Sequence, residues 1–151
     1  MQQAVTARTP MHLWIVGFLA LLWNGFGAYD YLMTRMRNED YLASAMPGVD
    51  PNAMLAWIDG FPLWAQIGWG LGVWMGLLGA ILLLVRSRWA VWSFLLSLIG
   101  ALLGLGYQMA MAPPMPGGEG AMAKAMPVVV IVVAGALYLY ARAMERKGVL
   151  R

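Results

Sequence analysis

Four apolar stretches, at about residues 11–33, 63–85, 89–111 and 121–141, take up most of this 151-residue chain, and each is long enough to cross a bilayer. A hydrocarbon core about 30 Å thick needs about 20 helical residues at 1.5 Å each. Lipid offers no partner to an unpaired amide, so each stretch has to close its hydrogen bonds internally, as helix. The expected fold is therefore all-α: a single transmembrane four-helix bundle, with loops at residues 34–62 and 112–120 on one side.

Composition agrees, with 62% hydrophobic and 11% charged residues against about 25% charged in soluble domains. The segments between the stretches are too short to hold a core of their own. Cysteine is absent, which removes disulfides, thiol nucleophiles and thiolate metal sites. A cleaved leader is not expected. The first apolar run is too long for one, and the charged stretch from Arg35 to Asp40 separates it from the small-residue triplet Ala43-Ser44-Ala45.

The net charge of +3 does not suggest a nucleic-acid partner, because the basic residues gather at the span ends. Arg8, Arg86, Arg88, Arg142, Arg146, Lys147 and Arg151 fall on the side that carries both termini. The other side has Arg35, Arg37 and Lys124, with four acids in its first loop. The positive-inside rule then places both termini in the cytoplasm and the two long loops on the outer side.

In the first loop, Asp50 suits a helix N-cap and Pro51 the first helical position, with Gly60 just past the end. Met54, Leu55, Trp57 and Ile58 share one face of that helix, so it is expected to lie amphipathically on the outer membrane surface. The second loop is Pro/Gly punctuation, and Pro127 is expected in the N-terminal turn of the fourth span. Small residues recur along the middle spans: Gly68, Gly72 and Gly76 in the second, Ser97 and Gly104 in the third. In lipid such stripes let backbones approach closely. They serve packing within the bundle or, alternatively, an oligomer interface.

Polar side chains at membrane depth are the candidate site. Asn24 lies ~18 Å in from His12, just beyond mid-membrane, and Asp30 ~27 Å in, near the outer headgroups. Asn24 needs a partner such as Gln66, Ser97 or a neighbouring carbonyl, whereas Asp30 can reach water, Arg35 or Arg37. Asp30, Gln66, Tyr107 and Gln108 are expected to line a polar pocket open to the outer side. Most tryptophans suit an interfacial belt, but Trp23, Trp74 and Trp69 lie deep enough to contact a ligand.

Met109, Met111, Met115, Met122 and Met126 crowd the outer side, and soft thioethers suit Cu(I). A single His12 cannot supply a bis-histidine haem pair, so no cofactor is expected. Nothing resembles a nucleophile–base pair, a carboxylate dyad or a phosphate loop, and the protein is not expected to be an enzyme.

The runs His12-Leu13-Trp14-Ile15-Val16-Gly17 and Leu22-Trp23-Asn24-Gly25-Phe26-Gly27-Ala28-Tyr29-Asp30-Tyr31-Leu32-Met33-Thr34, with Arg37-Asn38-Glu39, Phe61-Pro62, Arg88-Trp89-Ala90-Val91 and the ending Leu137 to Met144, make nearly the whole chain resemble a small four-span proteobacterial inner-membrane family. That family is often loosely labelled "sugar transporter", so the resemblance implies membrane residence and a role in moving small solutes. The residues themselves lead first to a non-catalytic subunit that acts through helix packing, in a homo-oligomer or with another membrane protein. A small-solute carrier, with sugars as the candidate solute, and a Met-rich Cu(I) binder are the alternatives.

Because the chain has no cysteine, single-cysteine reporters give an unambiguous test of topology. Thr9→Cys, Ser87→Cys and Gly148→Cys should react only with reagents that reach the cytoplasm, and Asn52→Cys and Glu119→Cys with reagents applied from outside.

Overall fold

The structure, a computed structural model, describes residues 8–151. Those residues form six helices: α1 (Met11–Arg35), α2 (Glu39–Ala45), α3 (Pro51–Asp59), α4 (Leu63–Leu84), α5 (Trp89–Ala110) and α6 (Ala121–Arg146). Of these, α1, α4, α5 and α6 are long and apolar enough to cross a membrane. The protein is a multi-pass membrane protein in which four long helices form a bundle. Both described ends of the chain lie on one side, called here the termini side; α2, α3 and the second long loop lie on the other, the loop side.

The α6 helix runs on past the expected residue 141 to Arg146, because its inward stripe continues through buried Ala141 and Met144 while Arg142 and Arg146 stay exposed. At ~39 Å for 26 residues it outreaches the hydrocarbon core. Pro127 sits in the second turn of α6 and not, as expected, in the first. It therefore takes one donor out of the helix interior, the N–H that would have bonded to the Ala123 carbonyl.

The first loop holds two helices where the sequence suggested one. Asn38 starts α2 by accepting a hydrogen bond from the Tyr41 amide at 2.9 Å, and Glu39 and Asp40 complement the positive end of the helix. Asp50 caps α3 through the Asn52 amide at 3.1 Å, with Pro51 in the first turn. The apolar face of α3 packs on protein through Met54 and Leu55, with Trp57 and Ile58 half-buried beside them. Met54 and Leu55 are each only 5% exposed, and the Trp57 indole donates to the Pro113 carbonyl at 2.9 Å.

The spans pack in the order α1–α4–α5–α6, and the α4–α5 seam is by far the most extensive. Its closeness comes from the small residues. A Cβ at Gly68 would stand 2.5 Å from the Leu103 Cβ and 3.0 Å from the Gly104 amide nitrogen. At Gly100 it would collide with the Gly72 nitrogen and the Gly68 carbonyl. Two serines complete the seam: Ser97 Oγ donates to the Gly72 carbonyl at 2.7 Å and Ser93 Oγ to the Met75 carbonyl at 2.8 Å. Gly68, Gly72, Ser97 and Gly104 thus all face a neighbour within the same chain.

The buried apolar cluster lies wholly toward the termini side. It joins Leu13, Leu83, Ala90, Phe94, Ala141 and Met144 with the tail residues Val149 and Leu150. That tail turns back at Gly148, whose φ of 68° ends α6. It is tied to the α4–α5 turn by two backbone bonds, Arg88 N to Arg151 O at 2.9 Å and Arg151 N to Arg86 O at 2.8 Å. The Tyr140 hydroxyl and His12 Nδ1 hydrogen-bond at 2.6 Å and join α6 to α1 at the same end.

The seam gives a direct comparison of two glycines. Gly100→Ala should destabilise the protein by about 1–3 kcal/mol through overpacking, read as a lower melting midpoint in detergent. Gly106→Ala meets nothing within 4 Å and should leave the midpoint unchanged or slightly higher.

Candidate functional site

With α1 and α6 at opposite ends of the row and joined only near the termini, the loop-side half of the bundle keeps an opening between them. A cavity of about 250 Å³ fills it and is lined by all four spans. The α1 helix contributes Trp23, Asn24, Phe26, Gly27 and Asp30; α4 contributes Trp69, Gly72 and Val73. From α5 come Phe94, Ser97, Ala101 and Leu105, and from α6 Met126, Val130, Val133, Ala134 and Leu137. Phe94 and Leu137 lie at its termini-side end, called here the floor; Asp30, Leu105 and Met126 lie at its loop-side end, called here the mouth. The lining spans ~16 Å along α5, from Phe94 to Leu105.

Few polar atoms reach this space. Asn24 Nδ2 donates back to the Ala20 carbonyl of its own helix at 2.8 Å, so Gln66 is not its partner. The Asn24 amide lies against α4 at Gly76, where any Cβ would strike its Oδ1. Gly76 is thus the residue that makes room for an amide at mid-membrane. Ser97 lines the cavity, but its hydroxyl proton is already committed to Gly72.

Asp30 is the one ionisable residue in the lining. Its Oδ1 accepts a hydrogen bond of 2.7 Å from the Tyr41 hydroxyl, which α2 delivers over the mouth. Arg35 and Arg37 do not reach it. The Arg35 guanidinium donates to Gln66 Oε1 at 3.1 Å, and Arg37 pairs with Asp59 at 2.6 Å. Loss of hydration around the Tyr41 phenol, then its bond to Asp30 and the charges of Asp30 and Tyr29, raise its pKa well above the ordinary 10.0.

The expected polar pocket is therefore divided. Asn24, Asp30 and Trp23 share the cleft. Gln66 bonds to Arg35 and to the Phe61 carbonyl at 2.9 Å, beside the Arg37–Asp59 pair. Tyr107 belongs to an aromatic cluster, edge-on to Phe61 at 5.0 Å and to Trp64 at 5.4 Å. Gln108 lines a second, more open cavity of about 550 Å³ on the loop side. Met115, Met122 and Met126 line that cavity together with Met46 from the first loop, while Met109 and Met111 stay outside it and exposed. Tyr41, the partner of Asp30, was missed because α2 was not foreseen, as were apolar lining residues such as Phe26, which look like any lipid-facing residue. The Asn38-Glu39-Asp40 capping pattern was the available signal for α2.

The Tyr41–Asp30 bond has a pH signature. The folded state keeps the phenol proton where the unfolded chain releases it, so this contribution to stability is whole below the ordinary tyrosine pKa and declines as pH rises above it. Asp30→Asn should lower the pKa of Tyr41 toward the ordinary value, visible as earlier phenolate absorbance in an alkaline ultraviolet titration.

Comparison with protein-family models, with curated proteins and with solved structures finds no match to this chain.

Proposed function

We infer that this is a non-catalytic multi-pass protein of a bacterial inner membrane, with cytoplasmic termini, that binds a small and mostly apolar solute in the cleft between α1 and α6. The observation that carries this reading is the cavity itself: about 250 Å³, lined by all four spans from Phe94 at its termini-side end to Asp30 at its loop-side end. A cavity of that size holds a compact molecule, below the usual 300–1,000 Å³ of drug-sized sites. Entry from the outer side and release toward the cytoplasm would require the His12–Tyr140 end of the bundle to part.

The lining suits an amphiphile better than a sugar. A sugar needs a hydrogen-bond partner for nearly every hydroxyl, and unmet polar groups in an apolar site cost about 1–3 kcal/mol each. Asn24, Asp30 and Ser97 are the side chains with acceptor capacity left in this cleft, too few for the hydroxyls of a sugar. The solute-moving role implied by the family resemblance is compatible with this reading, and its sugar label is the less suitable part.

A subunit role is the second reading, and α6 supports it. This helix is the least buried of the four spans and leans chiefly on α5. Val128, Val132 and Leu139 face outward, where lipid or a partner's helix would cover them. Any such association would use α6 and not the glycine stripe, which is spent on the α4–α5 seam.

Filling the cleft separates the readings. With 1-bromo-4-tert-butylbenzene as a quencher of Trp23 and Trp69 in nanodiscs, wild-type protein should show saturable quenching. Ala134→Phe should weaken it at least about tenfold, equivalent to ~1.4 kcal/mol, while the oligomeric state stays the same. Purely linear quenching, identical in both proteins, would count against a binding cleft and leave the subunit reading.

A further inference from the structure

We propose that the occupant of this cleft is a cation: a small amphiphile whose ammonium head meets Asp30 at the mouth and whose apolar body points toward Phe94. The proposal rests on the cleft being a binding site and adds the charge of its ligand.

Three observations converge on a positive head. First, Asp30 puts a carboxylate into a lining otherwise made of apolar side chains and two neutral polar ones. Asp30 is half-buried, so its carboxylate is only partly hydrated and gains from a nearby counter-charge. Second, the chain supplies none. Among the described residues the one ion pair is Arg37–Asp59; Arg35 is turned to Gln66, and no lysine, arginine or histidine lines the cavity. The Tyr41 hydroxyl bonds to Oδ1 and orients the carboxylate, while Oδ2 takes no hydrogen bond from the described residues and is not fully buried.

Third, Trp23, Phe26 and Trp69 give the cleft aromatic walls. Aromatic faces attract ammonium groups, most strongly where water is excluded. Trp69 is held in place by Tyr31, edge-on at 4.7 Å, so its ring is preset and need not be ordered on binding. Carboxylate at the mouth, aromatic wall and apolar floor match the order of a cationic amphiphile from head to tail. An anion would be repelled by Asp30, and a neutral solute would leave the carboxylate unpaired.

Two isosteres test charge alone: (4-bromophenyl)trimethylammonium and 1-bromo-4-tert-butylbenzene, which have the same shape and differ by nitrogen for carbon. Both quench tryptophan, and phosphatidylcholine nanodiscs avoid accumulation of the cation on anionic lipid. Wild-type protein should bind the ammonium at least about tenfold more tightly than its carbon isostere. Asp30→Asn should remove that preference without weakening the neutral probe, and Asp30→Glu should retain it. Equal affinities of the wild type for the two probes would overturn the cation assignment and leave the cleft as a neutral site. Saturable quenching by neither probe would remove the cleft reading and the assignment together. If Asp30→Asn does not fold, the wild-type ratio of the two affinities decides the matter alone.

Discussion

The close approach of α4 and α5 is the contact on which the other features depend. Lipid tails are as apolar as leucine, so two spans gain nothing merely by hiding apolar surface from lipid, and their association relies on dispersion and on hydrogen bonds. Glycines at 68, 72, 100 and 104 bring the two backbones together, and Ser93 and Ser97 hydrogen-bond across them. Together these make a rigid central pair. The α1 helix then packs on α4 and α6 on α5, each on the outer flank of the pair.

The cleft follows from that arrangement. Large side chains fill the space between the flanking helices only toward the termini, where Leu13, Leu83, Phe94, Met144 and Leu150 form the core. Farther up, Trp69, Val73 and Leu105 also line the middle, but between them α4 and α5 present the small residues Gly72, Ser97 and Ala101. They are small because the seam requires it, and too short to fill the space between α1 and α6. The packing that joins the central pair therefore also leaves the volume in which a ligand can sit. Asn24 fits the same logic: an amide at mid-membrane is tolerated because Gly76 leaves room for it and Ala20 accepts its proton.

Depth along the membrane was legible in the sequence, and rotation about each helix was not. Apolar length located all four spans to within a few residues, and the α6 overrun came from a stripe that continued beneath flanking charges. Asn24 and Asp30 could be singled out from one chain coordinate alone, and both line the cleft. Gln66, Tyr107 and Gln108 seemed to belong with them because they share their depth, but they point to three other places. For α3 the helical wheel identified the apolar face, yet lipid and protein are equally apolar partners, so the pattern could not say which would cover it. The glycine stripes carried a similar ambiguity between a neighbouring helix of the same chain and one from a second copy.

That last ambiguity is the one to resolve by experiment. With no native cysteine, the double variant Gly68→Cys, Leu103→Cys places two thiols across the seam, where the Cβ positions stand 2.5 Å apart and need to part by about 1–2 Å to reach disulfide spacing. Mild oxidation in the membrane should yield an internal disulfide, and the protein should migrate as a monomer that shifts on reduction. A disulfide-linked dimer as the main product would put the glycine stripe between protomers and contradict both the seam and the cleft built on it.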